Sequence, residues 1–205
     1  EVGIGNREER REAFVQQFGV EPSAYEVACG KAGAFAGPVA SYLGYGKSPA
    51  VLQQLECEIG TDAMVASMAR WLEDNPKGRP GEWAGFEAAV TKTVGSDMRW
   101  FFRQWIDRPG APNFEIKDVE WLNGFVQGVV EFKGDPYRLT LDVYAEFASG
   151  KKLNSKVVVN SQAKKGSTEF SLSLPERPTL VSFDPFERVF RETVSPPPTR
   201  LTSSI

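Results

Sequence analysis

Histidine is absent from the 205 residues of this chain. Without an imidazole, neither a Ser-His nor a Cys-His nucleophile pair can be assembled, and any zinc site that uses histidine is excluded. Cysteine is nearly as scarce. Cys29 and Cys57 are too few for a disulfide scaffold, and they leave the redox compartment open. Long apolar runs are missing too, none approaching the roughly 20 residues that cross a bilayer. Charge of one sign is lacking, with 24 Lys and Arg against 27 Asp and Glu and a net charge of −3. That balance provides no basic footprint for nucleic acid and no polybasic patch for a membrane surface. The chain opens on Glu1 without a charged-then-apolar leader, which leads us to expect a processed or excised chain. No internal repeat is visible.

What is present suits a folded protein. Hydrophobic residues make up 41% and aromatics 12%, enough for a packed core. Residues 7–18, REERREAFVQQF, read as a charged helix with Phe14, Val15 and Phe18 on one face. The stretch 19–44, which includes GKAGAFAGPVA, reads as loop or irregular connection. Four helices are then expected. Ser48 is placed to cap the first, with Pro49 in its opening turn, a stripe of Val51, Leu52, Leu55 and Ile59, and Gly60 at its end. Thr61 is placed to cap the second, with the stripe Met64, Val65, Met68, Trp71 and Leu72 ahead of the loop NPKGRPG. The third spans about Glu82 to Val94, with Trp83, Phe86, Val90 and Val94 inward and Gly95 closing it. Ser96 is placed to cap the fourth, DMRWFFRQWI, which stops at RPGAP.

At Pro112 the hydrophobic period changes from about 3.6 to 2. Phe114, Ile116 and Val119 lead to Trp121, and Asn123-Gly124 signals a hairpin. Further runs are Phe125–Phe132, Leu139–Phe147, Lys156–Val159, Glu169–Leu174 and Thr179–Phe183. Leu139, Leu141, Val143, Ala145 and Phe147 alternate with polar residues, as in a half-buried antiparallel strand. Strands of this number with short turns predict a small β-sandwich. The end, SPPPTRLTSSI, reads as a polyproline-like, mobile tail. The expected class is therefore α+β. We expect a helical lobe over 1–111, an antiparallel β-sandwich over 112–193 and the tail over 194–205.

Few residues offer chemistry. Tyr45 sits between Gly44 and Gly46 just ahead of a helix. It is either a packing residue at the helix entrance or a phenol donor able to stabilise an oxyanion. Glu56 and Glu58 lie close on one helix and read as surface charges, since two carboxylates alone do not define acid–base catalysis. Asp184 ahead of Pro185 reads as a turn starter. Cys29, followed by Gly30 and Lys31, reads as an inert thiol. Trp71, Trp83, Trp100 and Trp105 fall at helical-stripe positions and read as core.

The segment GYGKSPAVLQQLECEIGTDAMVASMARWL, then Trp83 and Phe86, then SDMRWFFRQWIDRPGAP, resembles the gluzincin zinc aminopeptidases. These are the alanyl and leucyl aminopeptidases and their leukotriene-hydrolase relatives. The shared pattern is Tyr-x-Lys-Gly/Ser, a helix ending Leu-x-x-x-Ile/Leu-Gly, and Trp-Phe-Phe-x-Gln-Trp before Pro-Gly-x-Pro. SFDPFERVFRETVSPPP further resembles the end of the β-sandwich that follows the catalytic domain in bacterial members. The resemblance covers 40–112 and, less specifically, 113–198; Ser48-Pro49 stands where the family usually has Gly-Ala.

By this resemblance the helical block is the C-terminal lobe of a thermolysin-like catalytic domain, Tyr45 hydrogen-bonds the tetrahedral intermediate, and Lys47 only marks the motif. The family's H-E-x-x-H zinc segment, with its glutamate base, and its G-x-M-E-N motif are both absent. The resemblance thus implies a C-terminal aminopeptidase fragment, inactive alone, with no cofactor in this chain and zinc in the full-length protein. Its partners would be the missing N-terminal and zinc-binding parts and, in the full enzyme, a peptide substrate. An apolar surface left by those parts would favour self-association. The alternative is a non-catalytic protein- or peptide-binding module on a degenerate peptidase scaffold.

Overall fold

A computed structural model describes residues 28–30, 40, 42–75, 81–159, 166–186, 188–189, 191 and 198–201. The helix expected over 7–18 and most of 19–44 lie outside them. The described residues contain four α-helices and two antiparallel sheets, an α+β chain. The chain divides into two compact units, with the boundary between Ala111 and Pro112.

In the helical unit, α1 (Ser48–Ile59) is the continuation of a wide π-helical turn, Tyr42–Lys47. Ser48 does not cap it. Lys47 ahead of it is already helical, and the Ser48 hydroxyl donates backwards to the Leu43 carbonyl at 2.7 Å. Pro49 explains the widening. Inside a continuous helical run it supplies no N–H and its ring crowds the preceding turn, and a π-turn relieves that crowding.

α2 (Thr61–Asp74) follows Gly60, whose positive φ of 85° makes the corner. Thr61 is inside the helix rather than capping it, and its hydroxyl bonds the Glu56 carboxylate at 2.7 Å. The buried line of α2 is Met64 and Ser67, with Trp71 half-buried, while Val65, Met68 and Leu72 face outward, against the expected stripe. Ser67 can take an inner position because its hydroxyl bonds the Ala63 carbonyl of its own helix at 2.7 Å.

α3 (Trp83–Val94) buries Phe86, Ala89 and Val90 and ends at Gly95 in the left-handed conformation. α4 (Arg99–Phe102) is shorter than expected and continues as a second π-turn, Arg103–Asp107. Asp97, not Ser96, holds its start, accepting from the Arg99 backbone N–H at 3.0 Å. An aromatic chain ties these helices together: Trp71–Phe86, Phe86–Phe102 and Phe101–Phe102 meet edge-on at 6.0, 6.0 and 5.7 Å. A Cβ at Gly81 would overlap the Trp71 ring, so that position is occupied by the indole.

In the second unit, β1 (Phe114–Leu122) and β2 (Phe125–Phe132) form the hairpin at Asn123-Gly124, both with positive φ as a tight primed turn requires. β3 (Leu139–Phe147) is central, β4 (Lys152–Val159) lies on its edge, and β5 (Ser167–Ser173) and β6 (Pro178–Phe183) complete the expected runs. One sheet has the order β1-β2-β5, the other β4-β3-β6-β7. β7 (Thr199–Arg200) pairs with Leu180 and Val181, so this piece of the segment expected as a mobile tail is strand. The sheets meet where Phe170 of β5 and Phe183 of β6 pack edge-on at 5.2 Å.

Candidate functional site

Tyr45 is carried on the π-turn Tyr42–Lys47, and it points out, 77% exposed. A turn of this width places residues four and five apart on one face. Leu43, Lys47 and Ser48 share the inner face: Leu43 and Lys47 are buried and Ser48 is half-buried. Tyr45 takes the opposite face. Gly44 beside it is exposed, and a Cβ there would touch nothing within 4 Å, so the approach to the ring is open.

The inner face is polar as well as apolar. The Lys47 ammonium donates to the Gly110 carbonyl at 3.0 Å, joining the turn to the end of the helical unit. Burial pushes the Lys47 amine down, and Arg108 adds to this while Cys29 opposes it. The Cys29 thiol lies 3.0 Å from the Ser48 hydroxyl. Burial pushes that thiol up, against the opposing influences of Ser48 and Lys47, so it is held as an unreactive thiol. The sequence singled out Cys29 and Lys47 separately and did not place them together.

The remaining candidates of the helical unit are Glu56, Glu58 and the four tryptophans. Glu56 is engaged by Thr61, and Glu56 and Glu58 are both half-buried along α1. Trp105 is buried, and Trp71, Trp83 and Trp100 are half-buried in the aromatic chain of the helical unit.

Asp184 makes a turn in the other unit. Its Oδ1 accepts the backbone N–H groups of Arg188 and Val189 at 2.7 and 3.3 Å, and Arg191 lies 3.6 Å from Oδ2. Burial pushes the Asp184 carboxyl up to about 6, against the opposing pull of Arg191 and those N–H groups. Arg191, also buried, stacks over Phe114 with 4.9 Å from its guanidinium carbon to the ring centre. This is a clamp on the turn after β6.

The zinc implied by the resemblance has no donor set here. The chain has no histidine, and among the described residues no group of three or more Cys, Asp or Glu could hold a metal ion. What the geometry offers is one outward hydroxyl on a braced turn.

No family model and no curated protein matches this chain. Among solved structures it is similar to an aminopeptidase A from Legionella pneumophila, crystallised in complex with aspartic acid. The TM-score is 0.56 at 17% identity, over 71% of this chain and 17% of that one. The likeness is one of fold, and this chain spans about a sixth of the neighbour's length. A flavohemoglobin from Malassezia yamatoensis with bound FAD and heme aligns at a TM-score of 0.24 and 12% identity, over 86% of this chain and 49% of that one, too low to indicate a common fold.

Proposed function

We propose that this chain is the tyrosine-bearing C-terminal part of a zinc aminopeptidase, inactive by itself. In the complete enzyme the Tyr45 hydroxyl donates a hydrogen bond to the oxyanion that forms as a peptide carbonyl becomes tetrahedral. Such a donor, held before the reaction begins, contributes about 3–4 kcal/mol to the barrier reduction. The sequence has no histidine and no group of Cys, Asp or Glu among the described residues fits a zinc site, so in this reading the metal and its attacking water belong to polypeptide outside this sequence, and this chain contributes positioning and the hydroxyl alone.

The observation that carries this reading is the setting of Tyr45. Its ring is 77% exposed beside two glycines, yet the turn beneath it is anchored on its inner face. A tyrosine that served packing at a helix entrance would bury its ring. The aminopeptidase-like fold supports the same reading.

The test is to express the longest product of the coding frame that includes this chain and assay it on aminoacyl-p-nitroanilides with and without Tyr45→Phe. A drop in kcat of about 10²–10³-fold at little-changed KM is expected. Equal rates would remove Tyr45 from the reaction, and a frame without H-E-x-x-H and a downstream glutamate would remove the peptidase.

One observation favours a second reading, a non-catalytic module that binds protein or peptide. Val65, Met68 and Leu72 form an exposed apolar stripe along α2, 60%, 37% and 64% exposed. Calorimetric titration of the longer protein with zinc separates the two, since the module alone has no stoichiometric site.

A further inference from the structure

Lys47 is one of the largest fully buried side chains among the described residues, at 1% exposure. A lysine rarely occupies such a place unless its ammonium is met by acceptors, because burying an unmatched cation is costly. Here Nζ donates to the Gly110 carbonyl at 3.0 Å, across 63 residues of chain. Gly110 has a φ of 76°, a left-handed conformation that glycine adopts without strain and that helps aim its carbonyl inward. Among the described residues Arg108 disfavours the Lys47 cation and Cys29 favours it, and desolvation is a larger influence than either.

The same residue closes the π-turn that carries Tyr45. Two positions separate them, on opposite faces of one wide turn, so any tilt of the turn that freed Lys47 would swing the phenol. Ser48 and Leu43 brace the turn locally, through a bond spanning only five residues. The Lys47–Gly110 contact ties the turn to the far end of the helical unit.

We propose that Lys47 is a positioning residue for the Tyr45 hydroxyl, acting as a buried ammonium-to-carbonyl tie between the π-turn and the Gly110 segment. The proposal rests on the reading of Tyr45 as the oxyanion donor. It gives the lysine of the Tyr-x-Lys element a mechanical task that its place in the motif does not supply.

The test uses the whole chain with Lys47→Met, which keeps length and removes the donor, and Lys47→Arg, which keeps a cationic donor. Amide hydrogen exchange over residues 43–48 is compared with α2 and α3. Lys47→Met is expected to speed exchange in 43–48 by about 10- to 100-fold, the range for losing a hydrogen bond to a charged group, with α2 and α3 changed far less. Lys47→Arg should recover most of that protection. 3-Fluorotyrosine labelling, with the resonance assigned by Tyr45→Phe, should show the residue-45 fluorine signal shift towards the free amino-acid position in Lys47→Met only.

Unchanged exchange in Lys47→Met, uniform acceleration across all helices, or identical behaviour of the Arg and Met variants would overturn the proposal. Should Lys47→Met fail to fold, the wild-type Nζ protons decide: a slowly exchanging ammonium signal supports the tie, and its absence at neutral pH refutes it. If the turn loosens as expected but Tyr45→Phe leaves hydrolysis by the longer protein intact, the tie stands and the catalytic reading of Tyr45 falls.

Discussion

Replacing Gly128 by alanine is expected to destabilise the sheet unit, and the cost can be worked from the contacts. Gly128 is buried in β2 directly opposite Phe170 of β5. A methyl group there would lie 2.7 and 2.8 Å from two ring carbons of Phe170 and 3.0 Å from the Lys117 carbonyl oxygen. The ring cannot simply retreat, since it packs at 5.2 Å on Phe183 of the other sheet. Overpacking of this kind costs about 1–3 kcal/mol. Removing a glycine from the unfolded chain returns about 0.4–1 kcal/mol. The expected net loss therefore lies between about 0 and 2.6 kcal/mol, centred near 1.3 kcal/mol.

Native-state amide exchange in β2 and β5 reads this unit separately from the helices. The same substitution in a Phe170→Leu background should cost about 1 kcal/mol less, because leucine vacates the two ring contacts and leaves only the 3.0 Å approach to the Lys117 carbonyl oxygen. The coupling between the two sites should thus be about 1 kcal/mol or more. An equal cost in both backgrounds, or a stabilised Gly128→Ala, would refute the view that the ring fills the volume of the missing Cβ.

Other outcomes follow from the same geometry. Tyr45→Phe should leave the stability of the chain within about 0.5 kcal/mol, as for an exposed site, so a large melting shift in calorimetry would show that the ring packs after all. The Asp184 carboxyl, raised in the fold from 3.8 to about 6, takes up a proton on folding between those values. Its contribution to stability therefore increases as pH falls from about 6 towards 4 and is flat above about 6. Chemical denaturation of wild type against Asp184→Asn should show that trend, up to about 3 kcal/mol, and a difference independent of pH between 4.5 and 7.5 would contradict it. The exposed α2 stripe leads us to expect self-association of the chain, weakened by Val65→Lys with Leu72→Lys without loss of fold; a wild type that sediments as a monomer, or unchanged sedimentation in the variant, would refute the contact.

Much of the architecture was legible because local signals agreed. Gly95, Asn123-Gly124 and the alternation from Leu139 to Phe147 each define a backbone state or a buried face on their own. The misreadings occur where two local rules compete. Ser48, Thr61 and Ser96 have the right chemistry for caps. Pro49 instead continues a helix through a π-turn, Thr61 finds Glu56, and Asp97 outcompetes Ser96. On α2 an apolar count favoured Val65, Met68 and Leu72, but Ser67 satisfies its own hydroxyl and takes the inner line. β4 begins at Lys152, before the expected Lys156, because its first half lies on a sheet edge and carries no apolar alternation.

At the candidate site the tyrosine was visible through its glycine neighbours. The lysine tie was not, since it joins residues 63 positions apart and depends on a backbone carbonyl that leaves no trace in residue identity. A buried cation two residues from a candidate hydroxyl was the available hint, and in sequence a lysine looks like surface.

Gly110 stands two positions before Pro112, where the sheet unit begins. Anyone grafting the helical unit onto a new scaffold must therefore carry the stretch through Gly110 along with it. A cut after Asp107, at the end of the last described helical turn, would keep the helices of the described residues and still remove the carbonyl that Lys47 holds. The stretch before Pro112 doubles as a fitting, moored at Gly110 by the Lys47 ammonium.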